Sequence, residues 1–293
     1  MIFLLEVRNV SKYYGRKLGV KNVSFQLAEG QALALLGENG SGKTTTFRMI
    51  LGLLTPTRGE ISYNHAPIDE LSKNILGYLP EERSLYKDLS VYEQLKFLGS
   101  LHQMTRYDID WRIDECLEEL KITEHKKRKI QELSKGNQQK IQLIAAILHE
   151  PRLLILDEPF TGLDVENVGL FLKVFEKLKK NGVIILFSSH QLDYCEELCD
   201  KLIFLKQGVV KINGSLSDLK DQYPGRYLTY ANREDLPLRV SENLILKQQK
   251  DHRYHYFVKD RMDINELAKA ILSHPSTYEL KVEQVKIAEL IQQ

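Results

Sequence analysis

Chemistry first becomes legible in this 293-residue chain at Gly37-Glu38-Asn39-Gly40-Ser41-Gly42-Lys43-Thr44, a G-x-x-x-x-G-K-[ST] spacing suited to gripping a polyphosphate. Its glycines let consecutive backbone N–H groups curl around phosphate oxygens, a conformation that a Cβ obstructs. Lys43 is expected to reach the β- and γ-phosphates and the Thr44 hydroxyl to hold Mg²⁺, with Thr45 next in the cradle. A helix starting near Gly42 would add the positive end of its dipole. A second group, Asp157-Glu158, follows the apolar run Leu153–Leu156. An Asp at a strand's carboxyl end can hold Mg²⁺, and a neighbouring Glu can orient or deprotonate the water that attacks a γ-phosphate. Third comes Ser188-Ser189-His190, just beyond the apolar run 183–187. A lone His after a buried strand is more often structural, so its chemical reading depends on the other two groups.

The elements around these groups fit that chemistry. Ala32–Leu36 reads as an apolar strand and 44–53 as a helix closed by Thr55-Pro56, giving strand, glycine loop and helix in sequence. Arg152 to Leu156 is too short to cross a membrane and reads as a buried parallel strand, with Asp157 and Glu158 emerging at the edge where ligands sit. Short strands are expected over 3–27 and 59–64. Helices are expected over 92–101, 111–120 and from Ser134 through Leu148, the last with Ile141, Ile144, Ala145 and Leu148 on one face. A strand ending at Ser188, a helix over 192–199 and a strand pair around Gln207-Gly208 follow. Pro224-Gly225 marks a boundary. Beyond it, 244–246, 254–258 and 278–282 read as strands, Asp263 with Glu266 as a capping box opening a helix through Leu272, and 285–291 as a last helix. Tyr254, Tyr256 and Val258 read as one buried strand face.

Residues 3–215 resemble the ATP-binding cassette (ABC) family of ATPases, specifically the nucleotide-binding subunit of an ABC transporter. The most specific motif is Leu133-Ser134-Lys135-Gly136-Asn137, followed by Gln138-Gln139-Lys140, which is similar to the family's LSGGQ signature. Ser134 and Gly136 there open a helix and offer a hydroxyl, free N–H groups and a dipole to a phosphate. The resemblance implies an α/β fold: a P-loop NTPase (RecA-like) ABC ATPase core with an antiparallel β subdomain and a helical insert, plus a small C-terminal α/β domain. The expected domains are 1–222, with the helical subdomain over about 86–150, and 226–293. It also implies ATP and Mg²⁺ as cofactors and a homodimer, or paired cassette, closed head-to-tail around two nucleotides. Ser134, Lys135, Gly136 and Asn137 would then serve the ATP held by the other subunit; Lys135 and Asn137 depart from the usual Gly and Gln.

Other positions carry over one by one. Tyr14 resembles the aromatic that stacks on adenine, with Tyr13 as the rival. Glu81 stands where the family normally places a Gln that contacts Mg²⁺ and links the site to the membrane partner, and a carboxylate is a harder ligand than an amide. Segment 81–86, Glu-Glu-Arg-Ser-Leu-Tyr, resembles the variant of NatA-like exporters, described as sodium or drug efflux systems. His190 resembles the switch histidine that touches the γ-phosphate, and Asp164 in Thr161-Gly162-Leu163-Asp164 the residue at the subunit interface. The metal set is thus Thr44, Glu81 and Asp157, and the catalytic set Lys43, Glu158 and His190.

Composition bounds the partners. Forty-one basic and forty acidic residues leave a net charge of +1, which gives no global field for nucleic acid, and 43% hydrophobic residues suffice for a sizeable core. The run His125-Lys126-Lys127-Arg128-Lys129 reads as a solvated loop. Cys116, Cys195 and Cys199 lack metal-type spacing and read as reduced thiols. No apolar segment approaches the roughly 18 residues of a membrane helix. The chain is therefore expected in the cytoplasm, at the inner face of the cell membrane through an integral permease subunit. Two other readings stand beside transport. A ribosome- or DNA-associated ABC ATPase would need a second cassette or a long coiled coil after Lys43. A nucleotide-sensing module would have little use for Glu158 and His190.

Overall fold

The computed structural model describes residues 4–71, 73–82, 84–223, 225–234, 238, 243–259 and 261–291. Two compact units, Met1–Gly214 and Ser215–Gln293, make up the chain. The first runs β1 (Leu4–Tyr14), β2 (Lys17–Ala28), β3 (Ala32–Leu36), α1 (Lys43–Ile50), β4 (Arg58–Tyr63), β5 (Ala66–Pro67), β6 (Leu76–Leu79), α2 (Val91–Leu101), α3 (Arg106–Glu119), α4 (Lys135–Ile147), β7 (Leu153–Leu156), α5 (Val165–Lys180), β8 (Ile184–Ser188), α6 (Leu192–Leu198), β9 (Lys201–Lys206) and β10 (Val209–Ser215).

These strands form one sheet in the order β5-β4-β1-β2-β10-β9-β3-β8-β7-β6. Every residue of β3, β7 and β8 is buried, as strands covered on both faces require, so they read as unbroken apolar runs. They pair in parallel, and the registers Leu35↔Ser188 and Leu156↔Phe187 bring their carboxyl ends side by side. Gly37, Asp157 and Ser189 therefore leave the sheet at one edge, where an open α/β sheet receives its ligands. β1 pairs antiparallel with β2 and β4, and Tyr14 is its last residue, just before the turn into β2.

The helical insert is α2, α3 and α4, each opened by a side-chain cap. Ser90 and Glu93 form a capping box on α2, Thr105 accepts from the Asp108 N–H on α3, and Ser134 accepts from the Asn137 N–H on α4. Helix α3 starts five residues before the expected 111. Its first turn, Arg106-Tyr107-Asp108, is exposed and shows no apolar period, so the cap rather than the pattern sets its start.

The second unit comprises α7 (Leu216–Gln222), β11 (Arg226–Asn232), β12 (Leu244–Lys250), β13 (Arg253–Val258), α8 (Arg261–Leu272), β14 (Thr277–Gln284) and α9 (Ile287–Ile291). Its antiparallel sheet runs β12-β13-β11-β14. Tyr254, Tyr256 and Val258 are fully buried and pack with Leu228, Tyr230 and Ile264. Buried tyrosine hydroxyls need partners, and both arms of Leu238 supply them: its N–H donates to Tyr230 Oη at 3.0 Å and its carbonyl accepts from Tyr256 Oη at 3.1 Å. Pro224 and the Asp263 side chain of the expected capping box lie outside the described residues.

Candidate functional site

The glycine loop between β3 and α1 depends on its glycines. Gly37, Gly40 and Gly42 have φ of 149°, 78° and 108°. A Cβ on Gly42 would lie 2.2 Å from Val20 Cγ1, and one on Gly37 would lie 2.4 Å from the Leu205 carbonyl oxygen. Neither site admits a side chain, so the backbone itself forms the cradle. Lys43 is 7% exposed and arches over the loop, its ammonium donating to the Gly37 and Glu38 carbonyls at 2.8 and 3.2 Å.

Opposite the loop, the end of β7 is tied to the end of β8. Asp157 is 2% exposed; its Oδ2 accepts from Thr44 Oγ1 at 3.0 Å and its Oδ1 from Ser188 Oγ at 2.6 Å. Ser188 Oγ in turn accepts from the Glu158 N–H at 2.9 Å. One hydroxyl thus fixes both carboxylate residues. Glu158 sits at φ 51°, a left-handed conformation that costs a non-glycine residue about 1–2 kcal/mol and persists where surroundings over-determine it. That conformation turns the chain at the strand end, and Glu158 Oε2 lies 2.8 Å from Nδ1 of the largely exposed His190.

A cleft of about 520 Å³ collects Tyr14, Asn39, Gly40, Gly42, Lys43, Thr44, Thr45, Glu81, Asp157 and Glu158. Tyr14, 48% exposed, lines it, whereas Tyr13 is not among the lining residues. Gly37, Glu38 and Ser41 complete the loop behind that surface. The residues fit a Mg²⁺–triphosphate: the cradle has no room for a Cβ at Gly37 or Gly42, and the Thr44 hydroxyl and Asp157 carboxylate are hard oxygen donors already adjacent at 3.0 Å. The Glu81 loop is held from α4, where the nearly buried Gln142 donates to the Pro80 and Glu82 carbonyls at 2.9 and 3.1 Å. Arg83 in that loop lies outside the described residues.

Ser134, Lys135, Gly136, Asn137 and Asp164 do not line the cleft. Ser134 and Lys135 are exposed at the start of α4; Asp164 caps α5, accepting from the Asn167 N–H at 2.9 Å. The two helix starts adjoin, since a Cβ on Gly136 would lie 3.9 Å from Asn167 Nδ2. Sequence reasoning missed the roles of Ser188, Gln139 and Gln142. Ser188 stood in a noted motif, but nothing in its spacing says that its hydroxyl bridges two carboxylate residues 30 positions away.

Residues 20–161 match the family model described as ABC transporter. The uncharacterised ABC transporter ATP-binding protein YhaQ of Bacillus subtilis strain 168 is 44% identical over 244 residues, which cover 83% of this chain and 82% of YhaQ. The linearmycin resistance ATP-binding protein LnrL of the same organism is 35% identical over 225 residues, 76% of this chain and 72% of LnrL. A solved structure of the ATP-binding subunit of an ABC transporter superposes with a TM-score of 0.70 at 34% identity, covering 75% of this chain and 93% of that one. The chain belongs to the ATP-binding subunits of the ABC transporter family, and its fold is that of the P-loop ABC ATPases. ATP is accordingly the nucleotide, and its hydrolysis the reaction of the family.

Proposed function

We propose that this chain is the ATP-hydrolysing subunit of an ABC exporter, acting as a pair that closes on two ATP molecules and reopens when they are cleaved. The observation that carries the catalytic reading is Glu158. Its carboxylate, 8% exposed and bonded to His190, is fixed by its own backbone N–H to Ser188 at the edge shared with Lys43. From there Glu158 orients or deprotonates the attacking water, and His190 holds the Glu158 carboxylate and reaches the γ-phosphate. Lys43 and the loop N–H groups of residues 38–44 carry the phosphates, and Tyr14 offers its ring to adenine. Thr44 and Asp157, with Glu81 at the rim, would hold Mg²⁺, which supplies charge neutralisation on the triphosphate.

Pairing is supported by Gly136. It precedes no strained turn, has no positive φ, and a Cβ there would meet nothing nearer than 3.9 Å. Among the described residues nothing demands glycine at that point, whereas the close approach of a phosphate on a second subunit would. Ser134 and Lys135 are exposed at that helix start with Asn137 half-buried beside them, and Asp164, which caps the adjoining helix, would stand at the interface.

The membrane partner is an integral permease reached through 81–86. Beside that loop a groove of about 620 Å³ is lined by Leu85, Leu98, Glu82 and Arg48, an apolar floor with charged rims suited to a short amphipathic segment. Among the described residues no helix is long and apolar enough to cross a membrane. The subunit then works at the cytoplasmic face. Export is supported by the NatA-like 81–86 segment and by LnrL, whose name ties that relative to resistance. Testing starts with Glu158→Gln. It is expected to bind ATP with unchanged affinity, lose turnover at least a hundredfold and accumulate as an ATP-bound dimer on light scattering. Wild-type turnover by this variant would remove Glu158 from its role.

A further inference from the structure

Asn137 stands where the family's signature normally has Gln, and its side chain is engaged within the chain. Its Nδ2 lies 2.9 Å from Nε2 of His125, which belongs to the short 3₁₀ turn Thr123–His125 before α4. The His125 side chain is only 13% exposed; Glu124 Oε1 stands 3.6 Å from the same nitrogen. The other ring nitrogen, Nδ1, is buried with no hydrogen-bond partner among the described residues. If the amide donates, Nε2 carries the lone pair and Nδ1 the proton; if the amide is turned over, its Oδ1 accepts from Nε2–H. Either way the ring edge and the amide stay bonded, and Nδ1 keeps no partner. An orphaned buried nitrogen destabilises a protein by about 1–3 kcal/mol, so folding alone gives no reason to place histidine here.

The bond's position supplies a reason. The Asn137 N–H donates to Ser134 Oγ at 3.2 Å, leaving the serine's own proton free for an acceptor outside the chain. Three consecutive amides brace this first turn of α4. Gln138 donates to the Ile130 and Leu133 carbonyls at 3.2 and 3.1 Å, and Gln139 to the Pro159 carbonyl at 3.2 Å. Only Asn137 is held by a side chain. Resting on the paired assembly proposed above, we infer that His125 is a positioning residue for the second subunit's ATP. Its ring holds the Asn137 amide back against the insert, fixing the turn so that Ser134 Oγ, the Gly136 N–H and the Lys135 ammonium face outward to the phosphates while Asn137 does not. The signature here is therefore read through a histidine lying outside the motif.

The test uses the full chain carrying Glu158→Gln, with ATP and Mg²⁺, and measures two constants: ATP binding to the monomer at low protein concentration, and the ATP-dependent dimer dissociation constant by sedimentation. Adding His125→Ala is expected to leave monomer ATP binding unchanged and to weaken dimerisation about tenfold, from one lost hydrogen bond per subunit. Adding Asn137→Ala instead should give the same loss, and both together no more than either alone. His125→Gln, whose amide can reach the same partner, should recover most of the affinity. If His125→Ala fails to fold, the Asn137→Ala and His125→Gln arms decide alone. Dimerisation within twofold of the Glu158→Gln parent in the Asn137→Ala or His125→Ala protein overturns this role while sparing the paired assembly. Failure of the Glu158→Gln parent itself to dimerise removes the assembly, and this role with it.

Discussion

Ser188→Ala isolates the bond that organises the catalytic edge. Ser188 is completely buried at the end of β8, and its Oγ is the only atom lost. Two interactions go with it. The Glu158 N–H, held at 2.9 Å, becomes a buried donor without a partner, at about 1–3 kcal/mol, and Asp157 Oδ1 loses a 2.6 Å charge-assisted bond of about 1.5–3 kcal/mol. Allowing for partial relaxation, the variant should unfold about 3 kcal/mol more easily, as a lower urea midpoint at unchanged slope. Activity should fall further than stability implies. At φ 51° Glu158 occupies a backbone state about 1–2 kcal/mol above its alternatives, and the bond to Ser188 helps to keep it there. Released, the carboxylate spreads over several positions, and kcat should drop by roughly 10- to 100-fold with ATP binding little changed. Steady-state ATPase assays at saturating ATP, paired with urea titrations, provide both numbers. Stability within 0.5 kcal/mol and kcat within about twofold of wild type would show that Ser188 does not hold the edge together.

Two glycines should answer the same substitution in opposite ways. Gly42→Ala forces a Cβ to 2.2 Å from Val20 Cγ1 at φ 108°, and should cost about 2–3 kcal/mol of stability and most ATP binding. Gly136→Ala has room and a helical backbone, and should gain about 0.5–1 kcal/mol while losing ATP-driven pairing; equal behaviour of the two on thermal melts and light scattering would contradict their assignment to different subunits' nucleotides. The His102 and His149 rings stack at 3.6 Å, and burial lowers the pKa of both, that of His149 to about 4. The folded chain thus binds fewer protons than the unfolded one. Stability from this pair is complete above pH about 6.5 and falls as pH drops towards 4, at about 1.4 kcal/mol per pH unit for each proton taken up. Replacing His149 by Gln should flatten that slope in urea titrations at pH 4–7, and an unaltered slope would refute the assignment.

The site was legible in sequence because its residues occupy strand ends and helix starts, where chemistry and local structure impose the same residue types. Lys43, Thr44, Asp157, Glu158 and Tyr14 were all placed in one cleft by spacing and resemblance, and the structure brings them together. What escaped were interactions across the sheet. Ser188 lies 31 residues from Asp157, and Gln142 reaches carbonyls about 60 residues away; no local pattern records either. Helix α5 buries the stripe Val168, Phe171, Leu172 and Phe175, and Asp164, the motif residue before it, is also its cap. Strand β6 contains a glycine and only four residues, too few for a period. Strand β11 has Leu228 and Tyr230 on its core face but starts straight after Gly225, which the sequence marks only as a boundary.

Helix α4 has one further consequence. Along its 13 residues, about 20 Å of rise, it presents Ser134 at one end, bonds the Pro159 carbonyl through Gln139, then the Pro80 and Glu82 carbonyls through Gln142, with His149 just past its end bonded to the Leu76 carbonyl. A helix neither stretches nor twists appreciably, so these contacts travel as a single rod. In the paired assembly proposed above, a tug from the permease on 81–86 would tilt that rod and shift, in one stroke, both the turn facing the neighbour's nucleotide and the loop beside Glu158. In that assembly no relay of intermediate rearrangements would be needed to keep two hydrolysis events in step.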